Sequence, residues 1–272
     1  LTPNHYAYLK IAEGCDNVCS FCSIPIMRGL QRSNTLEQNV IEAKNLSKQG
    51  VKELLLISQD TTTYGWDLKP KSSLYELVDV LDKVDGIDWI RLHYAHPAHL
   101  NKKMIDRFSS LEKLIPYIDM PTQHGSDKIL KNMKRGLDSS GIKNRIELLR
   151  KANDLISIRT SIIVGFPGET AQDFQELINF VKDIEFDRLG VFKYSEEEGT
   201  SAALEYKDNI PQTIKQERYD ELMMVQQEIN FNKNKKRVNS MEKVLVDVVN
   251  DSGWSLARSY RDAPEVDNYV KI

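Results

Sequence analysis

Cysteine is scarce: the 272-residue chain has three, and no fourth thiol anywhere. An odd count, with nothing like a secretory leader, argues against a disulfide framework. Long apolar runs are missing as well. No stretch of about 18 apolar residues occurs, so no membrane span is predicted. Neither sign of charge dominates: 37 Lys and Arg face 40 Asp and Glu, a formal net charge of −3. General attraction to nucleic acid is therefore weak. The local exception is Lys233, Lys235, Lys236 and Arg237. An initiating Met is also lacking, and strand-like sequence begins at once, as expected of an excised fragment. What remains is ordinary globular composition, long enough for one large domain and a small one.

The three cysteines fall together in Glu13-Gly14-Cys15-Asp16-Asn17-Val18-Cys19-Ser20-Phe21-Cys22, a C-x3-C-x2-C spacing. Buried structural thiols rarely gather between Gly, Asn and Ser. Three thiolates on one tight loop can hold three irons of a cubane cluster. Without a fourth Cys one iron stays open to a small ligand, as a catalytic zinc keeps an open position. A structural zinc site would instead need a distant ligand such as His5 or His124. Clustered thiols fit a reducing compartment, so the expected location is the cytoplasm.

Hydrophobic periodicity organises the rest. Strands are predicted over 6–12, 51–57, 89–94, 115–120, 158–164 and 188–194. Helices are predicted over 35–49, 72–84, 102–109, 128–133, 142–153 and 170–183. Leu54-Leu55-Leu56-Ile57 suits burial on both faces. Six strand–helix units imply a parallel sheet covered by helices, short of the eight units of a closed barrel. The expected fold class is thus α/β, a partial (β/α)6 barrel. Polar or Gly-rich segments follow each strand, where barrel sites are built. Residues 211–238 read as one long helix with Pro211 in its first turn. Its basic end could complement the helix dipole. From Lys243 the period becomes two, and a β-hairpin is predicted with a turn at Asp251-Ser252-Gly253. The expected domains are 1–210, 211–239 and 240–272.

The cysteine spacing, with an aromatic residue before the last Cys, resembles the radical S-adenosylmethionine (SAM) superfamily. There the open iron chelates the amino and carboxylate groups of SAM. Longer segments are similar to the methylthiotransferases: residues 13–25 with Arg28-Gly29, 120–126, Met133-Lys134-Arg135-Gly136, and Gly165-Phe166-Pro167-Gly168-Glu169-Thr170. The resemblance runs from residue 1 to about 235. The tail resembles the start of a TRAM domain, an OB-like RNA- or protein-binding module. Ser58-Gln59-Asp60-Thr61-Thr62 and Leu92-His93-Tyr94-Ala95-His96-Pro97 resemble the branch that modifies an aspartate of the twelfth small-subunit ribosomal protein. The tRNA isopentenyladenosine branch typically has Gly-Gln-Asn-Val after strand two.

This resemblance implies a 4Fe-4S cluster on Cys15, Cys19 and Cys22, SAM as cosubstrate, and a 5′-deoxyadenosyl radical that takes hydrogen from the aspartate β-carbon. A second cluster, held by cysteines this chain lacks, would supply the sulfur. An electron donor such as flavodoxin or ferredoxin is implied, with RNA contact through the β tail. Ser58, Gln59 and Asp60 end strand two, where such folds receive the SAM amino group; Asp60 suits an ammonium or a loop cap. Gln123 could bond the ribose or the substrate. Arg91 could grip a carboxylate or pair with a structural acid. Val164 and Gly165 could pack near adenine. His93, His96 and His99 recur every third residue, but a strand end fans such side chains apart. Two other readings stay open: a ribosome- or RNA-binding module with a structural cluster, and a different radical SAM outcome such as methylation.

Overall fold

The computed structural model describes residues 3–250 and 253–272. Asp251 and Ser252 of the expected hairpin turn lie outside that range. In chain order the first elements are β1 (Tyr6–Lys10), β2 (Ala12–Glu13), α1 (Ile24–Arg28), β3 (Arg32–Ser33) and α2 (Leu36–Lys48). Then come β4 (Glu53–Ile57), α3 (Leu74–Leu81), β5 (Trp89–Leu92), α4 (Lys102–Ser110) and β6 (Leu114–Asp119). They are followed by α5 (Asp127–Asn132), α6 (Ser139–Ala152), β7 (Ser157–Val164), α7 (Ala171–Ile184), β8 (Arg188–Lys193) and α8 (Ser201–Glu205). The chain ends with α9 (Gln212–Arg237), β9 (Val244–Val249), β10 (Ser255–Ser259) and β11 (Val270–Lys271).

Six strands form one parallel sheet in the order β1-β4-β5-β6-β7-β8. Each strand pairs with the next in sequence, the order a succession of crossover helices produces. The strand period of two divides the side chains sharply. Leu54, Leu56, Ile90, Leu92, Ile158 and Ile162 are fully buried in the main apolar core. That core lies between the sheet and helices such as α3, which contributes Leu74, Leu77, Val78 and Leu81. Among the alternate residues, which face inward, are the polar Glu53, Arg91, Asp119, Arg159 and Ser161. Leu55 is also fully buried, so the Leu54–Leu56 run is covered on both faces as expected. Helix starts follow their caps. Thr35 with Gln38 and Thr170 with Asp173 form reciprocal capping boxes, satisfying backbone donors that helix starts leave free.

The long helix α9 is no detached extension. Leu222 and Ile229 enter the main core, and the helix packs on β7, β8 and α7. The tail strands form an antiparallel sheet in the order β11-β10-β9. This sheet closes the amino ends of the barrel strands. Trp89, Ile115 and Tyr117 bury their rings and side chains against Ala263, Leu245 and Tyr260. Beside them Glu53 accepts from Arg91 Nε at 2.6 Å and from Arg258 Nη2 at 2.8 Å. Arg258 Nε also donates to Asp247 at 2.6 Å. All of Glu53, Arg91 and Arg258 are sealed from solvent.

Arg91 therefore holds the barrel floor and does not reach the site at the other end. The equal alternative, a strand Arg paired with a structural acid, is what the fold shows. Its guanidinium also lies 4.4 Å from the Tyr117 ring centroid.

Candidate functional site

The cysteine loop leaves β2 and returns through β3, and the two pair antiparallel, Ala12 with Ser33 and Glu13 with Arg32. Cys15 N donates to Gly29 O at 3.1 Å and closes the loop's neck. Gly14 sits there with φ 81°, and a Cβ would collide with the carbonyls of Leu30 and Gly29. Only glycine serves at such a point. The loop's far side is docked by Ser20, whose N donates to Met133 O at 3.1 Å and whose Oγ donates to Asn132 O at 2.7 Å.

All three cysteines line one cavity of about 270 Å³ at the carboxyl ends of the strands. None is in a disulfide. Burial pushes the Cys15 thiol up to about 11 and raises that of Cys22. A thiolate there needs a cationic partner such as iron to form at neutral pH. Among the described residues no three acidic, His or Cys side chains converge to hold a single ion. A cubane asks for something else, three thiolates around a shared hollow, and the three cysteines do line one cavity. The zinc alternative fails on placement. His5 Nε2 bonds Asp247 on the floor at 2.7 Å, and His124 is buried with its Nδ1 accepting from Ser126 N.

The expected site residues divide. Gln59 lines the cavity, and so does Gln123. Gln123 has φ 73°, uncommon for a non-glycine residue. Its backbone is fixed to β7, with N donating to Ser161 O and its carbonyl accepting from Ile163 N, both at 2.9 Å. Ser58 lines a neighbouring hollow. Asp60 does neither and acts as the loop cap. It accepts from Thr62 N at 2.9 Å, from Asn17 Nδ2 at 2.8 Å and pairs with His99 Nδ1 at 2.9 Å. Burial alone would raise its pKa, but the bonds from His99, Thr62 and Asn17 bring it below the usual value.

Val164 points away from the cavity into the helix-facing core. Gly165 does permit a close approach, but to the Lys215 side chain, not to a cavity ligand. Glu169 does not cap the following helix, whose N-cap is Thr170; its carboxylate instead accepts from Gly165 N at 2.6 Å in the turn after β7. The histidine triplet does not fan apart throughout: His96 and His99 stack with centroids 4.7 Å apart, while His93 lies 3.9 Å from Asp119. Of the basic run, Lys233 Nζ donates to Asp187 Oδ1 at 2.9 Å and Arg237 Nε to Glu242 Oε1 at 2.9 Å. Half of that patch is thus occupied by internal acids.

Sequence reasoning missed Arg135, Tyr94 and Ser161, which line the cavity together with His96, legible only as one of three regularly spaced histidines. Arg135 is buried, with Nη1 donating to Cys19 Sγ at 3.0 Å and Nη2 to Pro121 O at 2.7 Å. Its Nε has no partner, which leaves one buried donor available beside the cavity. Burial, and Arg135 nearby, hold His96 neutral by lowering its pKa. Arg135 stands in the Met133–Gly136 segment, 116 residues from Cys19 in the chain, so only the fold reveals the contact. Tyr94 carries φ 53°, a strain a sequence does not display.

A parallel six-stranded partial barrel with three thiols around an open hollow at its carboxyl end is the class that fold and site define: an enzyme scaffold for a thiolate-held cofactor. The family model of the radical SAM superfamily matches residues 9–181. The chain belongs to that superfamily, whose cofactors are a 4Fe-4S cluster and SAM. It is 49% identical, over its whole length and 62% of the relative's, to a ribosomal protein uS12 methylthiotransferase RimO of Prosthecochloris aestuarii. With the protein of the same description in Aquifex aeolicus it shares 48% over 100% of this chain and 63% of the relative. Among solved structures, coproporphyrinogen III oxidase (HemN) of Escherichia coli superposes with a TM-score of 0.61 at 19% identity, covering 86% of this chain and 53% of that one. The chain spans about three fifths of the length of the curated relatives it matches. No helix among the described residues is long and apolar enough to cross a membrane.

Proposed function

We propose that the chain is the radical-generating half of a methylthiotransferase whose substrate is ribosomal protein uS12, modified at an aspartate side chain. The observation that carries this reading is the near-half identity, over every residue of the chain, to proteins described as uS12 methylthiotransferases. The cavity supports the chemistry. When bound, the cluster and SAM supply a hydrogen-abstracting radical.

The chain's own residues hold and shield that pair. Cys15, Cys19 and Cys22 ligate the cluster. Arg135 offers its free Nε, and Gln59 and Gln123 offer polar groups around the same hollow. Phe21 and Pro121 line it with apolar surface and keep water from the reacting centre. The sulfur donor belongs to the second cluster that the family resemblance implies. An electron donor of the flavodoxin or ferredoxin kind is part of the same proposal. The TRAM-like tail packs on the barrel floor, where it leaves the carboxyl-end cavity free for the substrate.

Anaerobic reconstitution with iron and sulfide, then dithionite and SAM, tests the radical half. 5′-Deoxyadenosine should form with the parent and not with Cys19→Ala. A folded, reconstituted parent that releases none sinks the reading. The substrate is tested with the full-length protein, uS12 and mass spectrometry of the modified residue; modification of isopentenyladenosine in tRNA in its place would overturn that part.

A further inference from the structure

Beside the cysteine cavity lies a second hollow of about 230 Å³, and the two share Gln59 and Tyr94. Its other polar walls are Lys10, Glu13, Arg28 and Ser58. These come from the top of β1, the neck of the cysteine loop, the end of α1 and the end of β4. Two cations converge there on one internal carboxylate. Lys10 Nζ is in direct contact with Glu13, and Arg28 Nε lies 3.9 Å from it. Gln59 Nε2 donates to Glu13 Oε1 at 3.2 Å. Two polar atoms in the wall have no partner: Ser58 Oγ and Gln59 Oε1 are buried and unbonded. Such atoms are uncommon in a finished core. Glu13 is no core residue; about a third of its side chain is exposed. Lys10 and Arg28 are more than half exposed, so neither is fixed by packing.

We propose that this hollow receives the acidic side chain of the polypeptide substrate, with Lys10 and Arg28 gripping its carboxylate and Ser58 Oγ donating to it. Glu13 is the internal stand-in that holds the two cations until the substrate carboxylate displaces it. This rests on the reading of an aspartate-bearing protein as substrate. The positions suit it. The hollow adjoins the thiol cavity across Gln59 and Tyr94, so a carboxylate held here places the neighbouring carbon toward the reacting centre. The thiol cavity has its own cation, Arg135, so the two hollows do not compete for one. A charge-assisted grip of this kind separates aspartate from asparagine, which has the same shape without the charge.

The test is binding of labelled uS12, and of uS12 with the target aspartate replaced by asparagine, to the reconstituted full-length protein by fluorescence anisotropy. The cluster's absorbance verifies the loop in each variant. Lys10→Met and Arg28→Gln should each weaken binding of the aspartate form by roughly ten- to a hundred-fold and change the asparagine form little. Glu13→Gln should tighten the aspartate form, because the competing internal carboxylate is gone; a purely structural role would not give that opposite sign. Equal loss of both forms in the cation variants, or parent-like binding of the aspartate form, overturns the subsite. A parent that binds aspartate and asparagine forms alike also overturns it. A parent that binds neither, yet cleaves SAM, overturns the substrate reading itself and the subsite with it.

Discussion

Gly14 and Asp173 show how much one side chain decides. At Gly14 the positive φ and the two facing carbonyls leave no room for a methyl group. Gly14→Ala should therefore displace the neck that carries Cys15 while the barrel stays folded. Iron and sulfide content after reconstitution should fall by more than half, with unchanged far-ultraviolet circular dichroism; full loading would contradict this account. Asp173 closes the α7 capping box with Thr170 and accepts from Lys128 at 2.7 Å and Ser126 at 2.9 Å. Burial alone would raise its pKa, but these bonds hold its carboxyl well below the usual carboxylate range. The folded state thus binds fewer protons there than the unfolded chain. The stabilisation is present above the unfolded pKa of about 4 and is lost as pH falls toward the folded value. Asp173→Asn should lower stability by about 1–2 kcal/mol at pH 7. Denaturant titrations should show the gap narrowing below about pH 4, and a gap that widens there refutes the assignment. The three Cys and Gln123 were legible as residues that line the candidate cavity, because ligand type and strand-end position suffice to mark them. Arg91 and Val164 were not, because being next to a site-forming loop in sequence does not say which end or face of the strand a residue occupies.

At the scale of elements, helices and strands were legible within a few residues because each carries its own period and cap. The hairpin of β2 and β3 was not. It has two residues per strand, too few to show any alternation, yet it forms the neck of the cysteine loop. The inward polarity of the sheet was equally hidden. Glu53, Arg91, Asp119 and Arg159 read as ordinary strand punctuation until the register sets them on one face. Of these, Glu53 and Arg91 tie β4 and β5 to β10 through Arg258. Removing one member of such a buried set leaves its partners uncompensated. Arg258→Met should destabilise the protein by about 3–5 kcal/mol. Leu77→Ala, in a fully buried position of α3, should remove about 2–5 kcal/mol by the cavity it opens. Chemical denaturation checks both, and a change within 0.5 kcal/mol for Arg258→Met, the span of an ordinary surface substitution (about ±0.5 kcal/mol), would mean that the tail contact is not formed.

Over the whole molecule the barrel has two ends with different duties. The carboxyl ends of the strands open onto the thiol cavity; the amino ends are stoppered by the tail. A division into 1–210, 211–239 and 240–272 follows the change of sequence period, but period reports secondary structure and not what packs on what. The contacts argue for one cooperative unit. Tyr117 Oη bonds Asp267 at 3.0 Å, Arg188 Nε bonds Asp262 at 3.0 Å, and Trp89 is only 7% exposed beneath the tail. Removing residues 240–272 should therefore uncover Trp89 and Glu53 together. The expected results are a red-shifted tryptophan emission, a melting temperature lower by several degrees, and a single calorimetric transition in the intact chain. Two separate transitions in the intact chain, or an unchanged melting temperature after the cut, would restore the tail to the status of an independent domain. Because the floor fixes the lower halves of β4, β5 and β7, the truncated barrel should also load its cluster less completely. Iron content measured beside the melting curve distinguishes a loosened barrel from a merely shortened one.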